Sequence, residues 1–312
     1  MLMRFEQLLE FALINKSTDI HFEIIRNKLE ISIRAISGFR QFQVISDDLK
    51  LLEYIKYISN LNLIESQLPQ SGSFSYFYNE QEYFFRVASI KSQFMETCVV
   101  RILNKFFLNE NVFSNIKSHI NNLLVKQSGM IVFSGPTGSG KTTSMYSFVQ
   151  MFNGKKIYCI EDPIEIFFEN IVQINVNKNR GLTYKESIKQ VLRHDPDIIV
   201  IGEIRDEEAA QMAIRAAITG HLVITTIHSK NSLGVIDRLF DLGVSYNDIY
   251  QNLIFISNQR LCKNKQQDER WCVYEVLDEE NIKEISENGI KQFINQDIET
   301  IIKQYNKSKE IK

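Results

Sequence analysis

The sequence predicts an α/β protein in two parts, a smaller α+β domain followed by a larger domain built on a mainly parallel sheet. Three observations carry this. Short, largely apolar runs at residues 130–134, 157–160 and 198–201 have the character of strands buried on both faces. Helical patterns separate these runs, as the crossovers of a parallel sheet require. Ahead of them, residues 1–106 mix period-2 and period-3.6 apolar patterns in shorter pieces.

In chain order, Phe5, Leu8, Leu9 and Ala12 fall on one helical face. Leu29, Ile31 and Ile33 then alternate with Glu30, Ser32 and Arg34, as on a half-buried strand. Leu51, Leu52, Ile55 and Ile58 repeat the helical spacing, residues 69–73 carry turn chemistry, and 83–88 and 98–103 read as two further strands. A polar, Asn-rich stretch at 104–115 marks the linker, placed at 107–116, with the larger domain at 117–262. Within it, Thr183 and Glu186 have capping-box spacing ahead of Ile188, Val191 and Leu192. Asp206 opens a helix whose Ala210, Ala213, Ile214 and Ala217 share a face, Gly220 can end it, and 221–226 is another strand. Residues 263–312 read as a polar, helical C-terminal segment.

Composition narrows the function classes. With 44% hydrophobic and 24% charged residues among 312, the chain can bury two cores, and a net charge of −2 argues against a basic surface that grips nucleic acid. The first fifteen residues include Glu6 and Glu10 and lack a signal-peptide pattern, and no run reaches the ~18 apolar residues of a membrane span. The four cysteines, Cys98, Cys159, Cys262 and Cys272, form no C-x-x-C pair, so no structural zinc is expected. Cys98 and Cys159 sit in apolar runs as packed thiols, and the expected compartment is the cytoplasm.

The chemistry concentrates in the larger domain. Gly135-Pro136-Thr137-Gly138-Ser139-Gly140-Lys141-Thr142 matches the G-x-x-x-x-G-K-[ST] phosphate loop at every position, followed by Thr143. Glycines let backbone amides turn inward around a phosphate chain, and the helix that starts here adds its positive end. Lys141 can reach the β- and γ-phosphates, and the Thr142 hydroxyl can ligate Mg²⁺. Glu203 ends the apolar run at 198–201, where ligands of such sheets sit, and can face the metal. Glu161 ends the run at 157–160 and can orient or deprotonate an attacking water. The bland alternatives are a surface Glu opening a loop and a solvated turn. His221 and His228 flank a strand and are read as sensors of the γ-phosphate or, equally, as ordinary hydrogen-bonded histidines; ligand spacing for zinc is absent around them. His21, His119 and His194 receive no catalytic role.

Taken in order, the phosphate loop, Ile160-Glu161-Asp162-Pro163-Ile164-Glu165, Leu192-Arg193-His194-Asp195-Pro196-Asp197, Gly202-Glu203-Ile204-Arg205-Asp206 and Thr219-Gly220-His221 through His228 resemble the secretion and type IV pilus ATPase family. Thr18-Asp19-Ile20-His21 and Pro69-Gln70-Ser71-Gly72 resemble that family's N-terminal motifs, so the resemblance covers most of the chain. It implies a small PAS-like N-terminal domain and a RecA-like P-loop NTPase domain, assembled as a homo-hexamer that hydrolyses ATP with Mg²⁺. It assigns Glu161 to the acidic box, Glu203 to the Walker B position, and His221 and His228 to the histidine box. Arg86 and Arg101 match two arginines that reach the nucleotide's phosphates in the family; read alone, they are strand arginines covering apolar surface. The implied partner is a polytopic membrane platform protein, with peripheral membrane association through it and no direct nucleic acid binding. Departures are His194 before Asp-Pro-Asp, and three features not found: the long extra N-terminal domain and four-cysteine zinc insertion of type II secretion motors, and the A-I-R-N-L-I signature of retraction motors. The pattern most resembles the competence-pseudopilus branch of Gram-positive bacteria. A DNA translocase and a non-enzymatic nucleotide switch are the competing readings.

Overall fold

The computed structural model describes residues 2–26, 28–35, 38–64, 67–103, 112–164, 166, 168–177, 181–263 and 270–289. Glu165, residues 107–111 of the expected linker, and most of the 263–312 segment therefore lie outside the described residues. The chain forms two compact units, one of Met1–Phe106 with Pro163–Phe167, the other of Phe107–Asp162 with Phe168–Lys312.

The first unit contains α1 (Leu2–Ile14), β1 (Asp19–Ile25), β2 (Lys28–Ala35), β3 (Gly38–Phe42), α2 (Asp48–Ile58), β4 (Gln70–Tyr78), β5 (Gln81–Lys91) and β6 (Met95–Leu103). Its six strands form an antiparallel sheet in the order β3-β2-β1-β6-β5-β4. One face is apolar by strict alternation: Ile31 and Ile33 of β2, Ile20 and Phe22 of β1, Val100 and Cys98 of β6, and Val87 and Phe85 of β5 are buried. Phe5, Leu8, Leu9 and Ala12 of α1 and Leu51, Leu52 and Ile55 of α2 complete that core. Turn chemistry at 69–73 is corrected here, because Gln70, Ser71 and Gly72 already pair with Ser89, Ala88 and Val87 in β4. Gly72 marks a close backbone approach rather than a turn; a Cβ on it would collide with Ser59 O at the end of α2.

An ion pair holds the two helices of this unit together. Arg4 Nε donates to Asp48 Oδ1 at 2.8 Å and Nη2 to Oδ2 at 2.9 Å, while Ile45 N–H donates to Oδ2. Burial alone raises the Asp48 pKa, but the Arg4 and Ile45 donors outweigh it, leaving the carboxyl below its ordinary value. Removing one partner of a buried pair strands the other, so Arg4→Ala is expected to cost about 3 kcal/mol in urea unfolding of the first unit. Because the folded pKa is depressed, the pair's contribution is present above the ordinary Asp pKa of about 4 and is lost as pH falls through the lower folded value. The unfolding midpoint of wild type, but not of Arg4→Ala, should drop steeply across that acidic window.

The second unit contains α3 (Lys117–Leu123), β7 (Gly129–Ser134), α4 (Lys141–Val149), β8 (Ile157–Glu161), β9 (Val172–Asn175), α5 (Tyr184–Val191), β10 (Ile198–Ile201), α6 (Glu207–Ile218), β11 (Leu222–Ile227), α7 (Leu233–Asp241), α8 (Tyr246–Asn252), β12 (Leu253–Lys263), β13 (Arg270–Leu277) and α9 (Glu279–Asn288). The sheet order is β13-β12-β7-β11-β10-β8-β9. All neighbours are parallel except β12 with β13. Every residue of β7, β8, β10 and β11 is buried, as the apolar runs require. The parallel pairing brings the carboxyl ends of these four strands to one edge, where ligands of such sheets bind.

Helix ends follow the local signals. Thr183 Oγ1 caps α5 by accepting from Glu186 N at 3.3 Å, but the Glu186 carboxylate pairs with Lys189 instead of returning to the cap. Asp206 caps α6 through Ala209 N at 2.9 Å, and Gly220 ends it with φ 91°. The expected helical character of 263–312 is corrected at 270–277, which form β13. Trp271, Val273, Tyr274 and Val276 are β-prone, with Val273 and Tyr274 buried; the polar residues before them masked that pattern. Among the described residues, no helix is long and apolar enough to cross a membrane.

Candidate functional site

The phosphate loop leaves β7 at Ser134 and enters α4 at Lys141. Gly135, Gly138 and Gly140 all take positive φ, at 144°, 77° and 87°. A side chain at Gly135 would meet Gln259 O at 2.6 Å and Ser139 Oγ at 2.7 Å, so only glycine lets the loop fold this tightly. The first-turn amides of α4 have no intrahelical acceptor. Ser139 Oγ is buried and has no hydrogen-bond partner among the described residues. Lys141 curls back over the loop, its Nζ donating to Pro136 O at 3.1 Å and lying 3.4 Å from His228 Nδ1. Its pKa is lowered by burial, against an opposing pull from Glu203. A buried ammonium, an unpartnered hydroxyl and unpaired helix amides around a tight glycine turn are a donor set suited to a phosphate chain.

Two strand ends add carboxylates. Glu203 follows β10 and is gripped from two sides, by Arg205 Nη2 at 2.7 Å on Oε2 and by His228 Nε2 at 3.1 Å on Oε1. His228, just past β11, thus stands between Lys141 and Glu203. A neutral ring accepts at Nδ1 from the ammonium and donates from Nε2 to the carboxylate, so one tautomer satisfies both contacts. Glu161 ends β8 and is only 4% exposed. Its Oε1 accepts from Gln173 Nε2 at 3.2 Å and from the Cys159 thiol at 3.4 Å. Burial pushes the Cys159 thiol well above its ordinary pKa, which keeps it a protonated donor. Glu161 packs beneath the residue that precedes Glu203: a Cβ on Gly202 would sit 3.0 Å from Glu161 Cγ.

The site residues expected from sequence are therefore not all brought together. Lys141, Glu203 and His228 meet directly; Thr142 and Thr143 lie in the first turn of α4; Glu161 lies at the same edge of the sheet. His221 does not. It precedes β11 at the opposite end, beside Gly129, roughly 20 Å of strand from His228. There its Nδ1 meets Thr219 Oγ1 at 3.1 Å. His221 therefore lies away from this unit's own phosphate loop, because residues flanking a strand sit at opposite edges of the sheet.

Arg86 and Arg101 are in the first unit, directly opposite each other on β5 and β6. Two like charges so placed oppose each other. Asp19, opposite Arg101 on β1, offsets this by accepting from Arg101 Nε at 2.7 Å. Sequence reasoning did not single out Gln173 or Gln259. The signal for Gln259 was present, as four successive polar residues, Ser257, Asn258, Gln259 and Arg260, inside a largely apolar stretch. Oxygen donors from Thr142 and Glu203 suit a hard divalent cation such as Mg²⁺. Among the described residues, no group of three or more His, Cys, Asp or Glu is placed to hold a metal by itself.

The chain is similar to known proteins in sequence and in fold. A family model for type II/IV secretion system proteins matches residues 2–306. The competence protein ComGA of Bacillus subtilis (strain 168) is 32% identical over 322 residues, covering 95% of this chain and 90% of that protein. The type II secretion system protein E of Klebsiella pneumoniae is 33% identical over 261 residues, covering 81% of this chain and 52% of that protein, so the chain spans about half its length. Among solved structures, the pilus retraction motor PilT with bound ADP gives a TM-score of 0.74 at 25% identity, covering 92% of this chain and 87% of that one. The Legionella pneumophila ATPase DotB shares the fold, with a TM-score of 0.69 at 20% identity over 98% of this chain and 87% of that one.

Proposed function

This chain belongs to the type II/IV secretion system protein family, and from that membership we propose that it is a motor whose ATP hydrolysis drives assembly of a competence pseudopilus or related type IV pilus-like filament. It is an ATPase. The observation that carries the motor reading is the chain of contacts from Lys141 through His228 to Glu203, which ties the phosphate loop after β7 to a carboxylate at the end of β10, with β11 between them.

In this reading the loop of residues 135–143 cradles the phosphates and Lys141 neutralises the β- and γ-phosphates. Thr142 and Glu203 would hold Mg²⁺, which when bound supplies further neutralisation of phosphate charge. Glu161 or Glu203 orients the attacking water, and His228 reads the γ-phosphate. The wound sheet supports a RecA-like core, and the first unit stands as the PAS-like domain. Arg86 and Arg101 are kept as the arginines that steady charge on the transferred phosphate, a role that suits a planar, permanently charged guanidinium. The working form is a homo-hexamer in the cytoplasm, held at the membrane by a polytopic platform protein.

Steady-state ATP hydrolysis by the purified full chain, with and without DNA, tests the proposal. Turnover indifferent to DNA is expected. Strong stimulation by DNA with a salt-sensitive complex would instead favour a translocase, and nucleotide binding without turnover a switch.

A further inference from the structure

By position, β12 ought to be apolar throughout, since it lies between β7 and β13 inside the sheet. Its first half complies, with Leu253, Phe255 and Ile256 buried. Its second half buries Ser257, Asn258 and Gln259 at 0% exposure, followed by Arg260. Burying such groups is costly unless each finds a partner, so their partners reveal what the run does. Asn258 Nδ2 donates to Ser134 Oγ, the last side chain of β7, at 2.9 Å and to Ser229 O at 3.2 Å. Gln259 Nε2 donates to Ser139 O in the phosphate loop at 2.7 Å. Arg260 donates to Asn258 Oδ1 at 2.6 Å, to Gln259 O at 3.0 Å and to Lys230 O at 2.6 Å.

These three residues hold two separate pieces of the site. One is the phosphate loop, gripped at its root and at the Ser139–Gly140 bend. The other is the segment Ser229–Lys230 that directly follows His228. We infer that Asn258-Gln259-Arg260 is a positioning triplet that keeps the phosphate loop and the His228 segment in a single register. This rests on the nucleotide-site reading above. Gln259 orients the Ser139 carbonyl away from the phosphates, which fixes the bend whose amides face them; it therefore governs affinity for ATP and ADP alike. Arg260 anchors the chain beside His228, so it governs turnover. The Gln259 side chain also shows that packing alone does not explain the run. Its Oε1 is buried with no partner among the described residues, an arrangement that an apolar residue of similar size would relieve.

The test uses the full-length protein, comparing wild type with Gln259→Met, Gln259→Glu, Arg260→Ala and Arg260→Lys by ADP and ATP affinity, kcat, KM and thermal unfolding. Gln259→Met should unfold no earlier than wild type yet bind both nucleotides about tenfold more weakly, with the defect in KM. Gln259→Glu keeps the shape. Its introduced carboxyl donates to Ser139 O only when protonated, so its affinity should fall relative to wild type as pH rises from about 6 to about 9, whereas that of Gln259→Met should not. Arg260→Ala should keep ADP affinity within about twofold and lose about tenfold in kcat. Arg260→Lys should recover little, because an ammonium lacks the planar fork that spans three acceptors. Variants with wild-type KM, kcat and pH profile, or ones whose only defect is stability, overturn the inference while leaving the ATPase reading intact. A wild type that neither binds nor hydrolyses ATP overturns both.

Discussion

Lys141→Ala should leave the protein folded and abolish ATP turnover. Lys141 is 8% exposed, but its ammonium contacts a loop carbonyl and one histidine nitrogen rather than a buried carboxylate. Deleting it therefore strands no opposite charge, and it relieves the desolvation that lowers its pKa. Unfolding should stay within about 1 kcal/mol of wild type. The loss falls on function, because the charge that faces the β- and γ-phosphates is gone while developing charge on the transferred group still needs neutralising. Lys141→Arg should rescue poorly, since the space between Pro136 O and His228 Nδ1 suits a compact ammonium better than a wider fork. Purified variant protein should show no ATP hydrolysis above background, and a strain carrying it should assemble no filament. Turnover within tenfold of wild type would sink the assignment of the loop as the catalytic phosphate cradle.

Glu203→Gln should bind ATP and hydrolyse it at least about a hundredfold more slowly, the usual scale for a positioned acid–base or charge-orienting group. The substitution is nearly isosteric, but His228 and Arg205 hold different oxygens of Glu203, so the single amide oxygen can keep only one of the two contacts. The charge at the end of β10 changes too, and with it any proton acceptor or metal ligand there. Glu161→Gln is the companion experiment. Its carboxylate is buried under Gly202 and fixed by Gln173 and the Cys159 thiol, so it is held rigidly with little solvent around it. Single-turnover hydrolysis with saturating ATP separates the two. If only one variant is severely slowed, that residue activates water and the other serves structure or metal placement. Near-normal turnover in both would leave the carboxylates of β8 and β10 without a catalytic part.

Much of the second unit was legible in the sequence, and for a local reason. Strands buried on both faces need no alternating pattern, so β7, β8 and β10 stand out as apolar runs. The phosphate loop is contiguous, and its glycines are dictated by backbone geometry that local sequence encodes. The caps at Thr183 and Asp206 were legible for the same reason. Less legible was β13, where polar residues just before it outweighed a β-prone run, and the start of β4, where Gly72 imitates a turn but serves a close approach to Ser59.

The sequence by itself determined which residues carry the chemistry: a glycine loop with Lys141, and carboxylates at the ends of two apolar runs. Only the tertiary structure decided which of them meet. The parallel order β7-β11-β10-β8 sets His228 against Lys141, 87 residues away, and sends His221 to the far edge. The same order places β12 beside β7, so that Gln259 reaches Ser139 across 120 residues. No local pattern encodes these meetings, because strand neighbours are chosen by how the whole sheet buries its apolar surface, and a side chain's partner across the sheet follows from that order rather than from its own place in the chain.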